Sequence, residues 1–220
     1  MLISGADTTG TFEMPDLILH SRALSLYLRI ACLVCEEKQV DYRVEALDEK
    51  GKGFRAFHPF EKMPVLQHGD VMIYETLAIA DYVDRAFEGP SLSPSEPRAH
   101  AQMLTWISLT NAYFFPTMMA GIVKPLLLAP MQGEPVDHDL VAASLPALNL
   151  QVGVLEKTLK ETPFLVGDEL SLADLFVLPN LVYVSLTNEG QDALRTAPKT
   201  REWMAGLVAR PSFAATEQRP

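Results

Sequence analysis

The sequence predicts an α/β sheet domain ending in a β-hairpin and a helix, followed by an all-α domain. Three observations carry this. Residues 62–87 (KMPVLQHGDVMIYETLAIADYVDRAF) read as strand, Gly-Asp turn, strand and helix. Residues 88–97 (EGPSLSPSEP) hold three prolines, three serines and a glycine and read as a linker. Beyond them the apolar spacing is helical throughout.

In chain order, residues 1–15 form a Gly-, Thr- and Ser-rich extension, and the first domain spans 16–87. Leu17-Ile18-Leu19-His20 is a short strand, residues 21–24 a loop, and Ser25 to about Glu37 an apolar helix. Asp41 to Glu45 alternates as a second strand. Residues 48–61 are polar, with Gly51, Gly53 and Pro59, and make a loop with a short helix. Met63 to Gln67 and Val71 to Tyr74 are the hairpin strands around His68-Gly69-Asp70. Pro64 cannot donate to a ladder, so its strand is either an edge or begins irregularly. The next helix rests on Ala78/Ile79, Tyr82/Val83 and Ala86/Phe87 at three- and four-residue spacing.

In the second domain, 98–220, a helix from Ala99 to about Leu109 runs on into an aromatic and Met-rich segment. A Gly/Pro-broken loop spans 130–137, and a helix follows from about Asp139 to Glu161. Ser171-Leu172-Ala173-Asp174 has capping-box spacing and opens a buried helix containing Pro179. Pro198 to about Val208 is the last predicted helix.

The 220 residues suffice for one or two domains with a buried core. The net charge of −10 argues against a general nucleic-acid binder. The first residues lack a basic start and a long apolar run, so no export signal is expected. The most apolar window, 112–131, is interrupted by Pro116, Lys124, Pro125 and Pro130 and makes a poor membrane span. Two cysteines and no export signal fit a reducing cytoplasm.

A Pro-initiated strand, a Gly-Asp turn, a second strand and Glu75-Thr76 opening a helix resemble the glutathione-binding core of the glutathione transferase superfamily. FLVGDELSLADL (164–175) and Trp203 followed by ARPS (209–212) resemble that family's C-terminal domain. Both halves match in order and spacing. The resemblance implies a thioredoxin-like N-terminal domain, an all-helical C-terminal domain and a homodimer. It also implies glutathione as co-substrate, with no metal.

Glutathione needs an anion seat, a backbone partner for its cysteinyl residue and a stabiliser for its thiolate. The N-terminal turn at Glu75-Thr76 offers backbone N–H groups, a hydroxyl and the positive helix end to the γ-glutamyl carboxylate, and Glu75 can take the ammonium. The plainer reading of the pair is a helix cap. By the resemblance, Pro64 is cis and turns the Met63 backbone outward to pair with the tripeptide as an added strand. Lys62 is a candidate for the glycyl carboxylate, with Lys50 and Lys52 as weaker ones.

The thiolate stabiliser belongs between the first strand and first helix, where a hydroxyl and the helix end jointly favour ionised sulfur. By alignment to the family's first helix this role falls on Ser25, with Ser21 as fallback and Tyr27 close by. A simple N-cap role for Ser25 stays open. Tyr27, Tyr113, Phe114 and Met118, with Met119 beside them, are candidates for an apolar electrophile pocket, or are plain core.

Cys32 and Cys35 form a CxxC, but they fall mid-helix in an apolar run and read as structural. The five histidines show no metal-ligand spacing. The implied activity is attack of the glutathione thiolate on a small hydrophobic electrophile, giving a thioether. A non-catalytic glutathione-binding protein of the same fold is the alternative, as is a superfamily isomerase or dehalogenase.

Overall fold

Strand β1 (Leu17–Ser21) is buried at all five positions and forms the middle of the sheet with β3 (Val65–His68). The computed structural model describes residues 17–22, 25–46 and 54–217. The N-terminal extension and the loop bearing Lys50 and Lys52 lie outside the described residues. The sheet order is β2-β1-β3-β4, with β2 at Arg43–Ala46 and β4 at Val71–Tyr74. β1 runs parallel to β2 and antiparallel to β3, and β3 is antiparallel to β4. The parallel pair is joined through α1 (Leu26–Lys38), as such a crossover requires. A single turn, α2 (Phe54–Phe57), precedes the hairpin.

The strand after Pro64 is interior, so of the two arrangements open to that proline the irregular start is the one adopted. The Met63–Pro64 peptide is cis, and ladder pairing begins at Val65 opposite Tyr74. The hairpin closes through Gly69 at φ 62°, a left-handed conformation that glycine adopts without strain. α3 (Thr76–Ala86) follows directly on β4.

The helical half begins with α4 (Pro97–Leu109), capped by the Glu96 carboxylate, which accepts the Arg98 and Ala99 N–H groups. The helix then continues with π-helical bonding over Thr110–Leu128 and ends in α5 (Ala129–Met131). Pro116 and Pro125 each remove a donor from this stretch. Beside Pro116, Gln151 donates to the Tyr113 carbonyl and the Thr117 hydroxyl. Gln151 belongs to α6 (His138–Leu159), which packs along the π-helical stretch.

α7 (Leu172–Val184) is apolar on every side and is the central helix of this half, as an all-round apolar pattern demands. Its capping box is present as the spacing predicted. The buried Asp174 carboxylate also accepts the Leu165 N–H and the Trp203 indole N–H, both at 2.9 Å. α8 (Asn188–Arg195), α9 (Pro198–Val208) and α10 (Pro211–Ala215) complete the chain. α8 and α10 were not anticipated, and α9 is therefore not the last helix. Both are short; α8 carries a glycine in its first turn, and α10 starts on a proline whose ring presets the first helical φ.

A single hydrophobic cluster runs through both halves, from Leu19, Ile30, Leu66 and Ile79 to Ile107, Met118 and Phe176. α1 lies between them, packed on α3 on one side and α7 on the other, which explains why it buries residues on almost every face. At its C-terminal end Lys38 pairs with Asp84 at 3.3 Å, both buried, and Asp84 also accepts the Leu92 N–H. The sheet domain and the helical half are thus joined by the packing of α1 on α7, and the Asp84–Leu92 hydrogen bond ties the linker back to α3.

Candidate active site

A cavity of about 270 Å³ opens where the approach to β3 and the start of α3 meet α1 and the π-helical stretch. Its floor is Met63 and Pro64, and one wall is Glu75, Thr76 and Leu77 at the start of α3. Lys62 stands at its side, and Tyr27 and Asn111 close it from α1 and the π-helical stretch. All five residues predicted to hold glutathione therefore line one cavity, although the sequence separates them by up to fourteen positions. Larger clefts exist elsewhere, one of about 550 Å³ between α6 and α9. Its three cations are already engaged, Lys160 with Glu156 at 3.9 Å, Lys199 with Glu202 at 2.8 Å and Arg210 with Glu37 at 2.6 Å.

The wall at α3 has the chemistry of an anion seat. Thr76 is the first helical residue, so its N–H and that of Leu77 have no acceptor within the helix. Thr76 is buried and belongs to the cavity lining. Glu75 occupies the cap position with φ 72° and ψ 118°, yet its side chain makes no capping hydrogen bond. Its carboxylate stays two-thirds exposed, available to a cation arriving in the cavity. A non-glycine residue held at such a φ costs about 1–3 kcal/mol and is found chiefly where a site requires it.

Ser25 is the N-cap of α1, with extended backbone at φ −80° and ψ 121°, and its hydroxyl accepts the Leu28 N–H at 3.3 Å. It stands at the positive end of the helix but is not part of the cavity lining. Ser21, the fallback, is fully buried at the end of β1, and its hydroxyl donates to the Arg22 carbonyl at 3.3 Å. Tyr27 lines the cavity, with its hydroxyl donating to Asn111 Oδ1 at 3.2 Å and its ring 5.0 Å from that of Phe115.

The remaining pocket candidates separate. Phe114 and Met118 are buried in the hydrophobic core, Tyr113 is exposed, and Met119 packs partly buried against that core. Of the four named for the electrophile, only Tyr27 reaches the cavity. Cys32 and Cys35 are free and buried. Burial, with the Glu36 charge adding to it and a Tyr42 hydrogen bond opposing, pushes the Cys32 thiol up to about 11, and burial pushes Cys35 up as well.

Three cavity residues escaped the sequence reading: Leu77, next to the predicted Thr76, and two more distant ones. Asn111 lies 84 positions from the tyrosine it bonds. His58, set aside as one of five scattered histidines, is fully buried against the cavity, with Nε2 3.5 Å from Glu75 Oε1. The available signal was its place just before the hairpin, in HPFEKMP.

These features define a protein in which a thioredoxin-like domain carries the cavity and a helical domain supplies its remaining wall. Residues 19–91 match the glutathione S-transferase N-terminal domain, and residues 114–211 match the C-terminal domain. The chain is 30% identical to glutathione S-transferase 3 of Zea mays over 212 residues, 92% of this chain and 94% of that protein. It is 29% identical to glutathione S-transferase F14 of Arabidopsis thaliana over 197 residues, 84% of this chain and 77% of that one. Among solved structures, maize glutathione S-transferase I in complex with an atrazine–glutathione conjugate is 26% identical with a TM-score of 0.83. That match covers 91% of this chain and 96% of the maize chain. The chain belongs to the glutathione S-transferase family.

Proposed function

We propose that this protein conjugates the glutathione thiolate to small hydrophobic electrophiles. One observation carries the reading: Lys62, Met63, Pro64, Glu75 and Thr76 line a single cavity whose charges suit the two ends of the tripeptide. In this reading the γ-glutamyl carboxylate sits on the Thr76 hydroxyl and the free N–H groups of α3, and its ammonium on Glu75. The cysteinyl backbone pairs with Met63, and Lys62 takes the glycyl carboxylate. Ser25, at the positive end of α1, favours the ionised sulfur, which is the nucleophile.

A second assignment of the thiol donor is supported by the cavity lining, which includes Tyr27 and not Ser25. Ultraviolet titration of the bound thiolate between pH 5 and 9, on wild type and S25A, decides between them. With Ser25 as donor, S25A binds glutathione but loses thiolate absorbance near neutral pH. Unchanged absorbance assigns the role to Tyr27 or Ser21. Tight binding with no thiolate in the wild type leaves a binding protein rather than a transferase.

The same reading includes a cytoplasmic homodimer, with the division between domains falling at residues 88–97. Exposed Phe60, Met72 and Tyr74, grouped beside the edge strand β4, supply apolar surface for a partner copy. Light scattering on the purified chain measures the mass directly.

A further inference from the structure

His58 is the buried residue of the cavity for which the transferase reading has no task. Its side chain is 1% exposed, with ring centroids 4.6 Å from Tyr74 and 6.0 Å from Phe60. Nδ1 accepts the Phe60 N–H at 3.0 Å, and that bond leaves the ring hydrogen on Nε2. Nε2 is buried without a hydrogen-bond partner among the described residues. Native structures rarely leave a buried donor unsatisfied, and those that do call for an explanation. The atom it faces is Glu75 Oε1 at 3.5 Å, on a carboxylate that is otherwise exposed and bonded to no cap.

We propose that His58 is a positioning residue that sets the Glu75 carboxylate for the α-ammonium of the γ-glutamyl group. The role rests on the transferase reading. Closing the gap to roughly 2.9 Å needs only a small rotation of the Glu75 side chain and gives a charge-assisted hydrogen bond. One carboxylate oxygen is then held by Nε2–H and the other is turned to the ammonium. An exposed glutamate alone would spread over several rotamers, and ordering it would weaken binding. His58 therefore acts on recognition of the amino group rather than on the sulfur.

Two substitutions separate the two ring nitrogens. In H58N the amide oxygen can replace Nδ1 as acceptor for Phe60 but no donor reaches Glu75. In H58Q the amide nitrogen can replace Nε2. Steady-state kinetics and calorimetry are measured with glutathione and with its analogue lacking the γ-glutamyl α-amino group. H58N is expected to raise KM for glutathione about tenfold with kcat unchanged. Affinity for the des-amino analogue stays within about twofold, since that ligand makes no use of the Glu75 carboxylate. H58Q recovers most of the loss, and H58N adds nothing in an E75Q background.

Equal weakening of both ligands, or additive losses with E75Q, would overturn the role. If H58N fails to fold, H58S, whose hydroxyl can accept the Phe60 N–H but cannot reach Glu75, gives the same coupling measurement when paired with E75Q. Wild-type protein that binds no glutathione removes the transferase reading and this role with it. Wild-type binding that H58N leaves unchanged removes the role alone.

Discussion

The Tyr27 hydroxyl donates to Asn111 Oδ1 at 3.2 Å, tying the first turn of α1 to the helical half across the mouth of the cavity. Burial, followed by the nearby Glu75 charge, pushes the Tyr27 pKa up to about 12. The phenol therefore keeps its hydrogen throughout the neutral range, and its contribution there is that of an uncharged donor. With Ser25 activating the thiol, Y27F should retain the bound-thiolate spectrum while losing about 0.5–1 kcal/mol of stability, the worth of a partly exposed hydrogen bond. Thermal melts and difference spectra of Y27F give both quantities. Loss of the thiolate band would make Tyr27 the donor.

A second contact joins the C-terminal end of the chain to α1. Arg210 donates through Nε and Nη2 to the two Glu37 carboxylate oxygens at 2.7 and 2.6 Å, and the Ser212 hydroxyl donates to the same carboxylate. Burial raises the Glu37 pKa, but the Arg210 and Ser212 hydrogen bonds outweigh it and the net shift is downward. A folded-state pKa below the unfolded one means this contribution is complete above the ordinary glutamate range and is lost as pH falls through the folded value. E37Q should cost about 1–3 kcal/mol at pH 7. The gap between E37Q and wild-type melting temperatures should narrow toward pH 3. A gap that stays constant from pH 7 to 3 would show that Glu37 is not titrating in this window.

Two helical glycines should respond to alanine with opposite signs. A Cβ on Gly190 would overlap the Val184 carbonyl, backbone that cannot yield cheaply, whereas one on Gly153 meets nothing within 4 Å. G190A is expected to lose about 3 kcal/mol or more through overpacking. G153A, exposed inside α6, should gain about 0.5–1 kcal/mol from helix propensity and a less flexible unfolded chain. Urea midpoints of the two variants report the difference directly.

What the sequence made legible was local. Val65–His68, Val71–Tyr74 and the helix opening at Thr76 follow from residue patterns a few positions long, and so does the box from Ser171 to Asp174. The site residues in that stretch converge because a hairpin and the following helix leave them little freedom. Asn111 and His58 were not legible, since each gains its role from a partner distant in the chain: Tyr27 for one, Glu75 for the other. Phe114 and Met118 show the converse. Aromatic and methionine spacing marks an inward helix face but does not say whether that face meets a ligand or, as here, α7 and α6. The π-helical stretch has no local signature beyond its two prolines, which an α-helix with kinks would share.

The Glu75 backbone is held at an angle that suits glycine better than glutamate. At φ 72° glycine would sit without strain, so E75G should fold at least as well as the wild type while losing the ammonium contact. A library of this protein selected only for heat resistance would be expected to accumulate glycine at position 75, and a library selected for glutathione capture would reject it. The glutamate there answers to the ligand, and the fold on its own would have no reason to keep it.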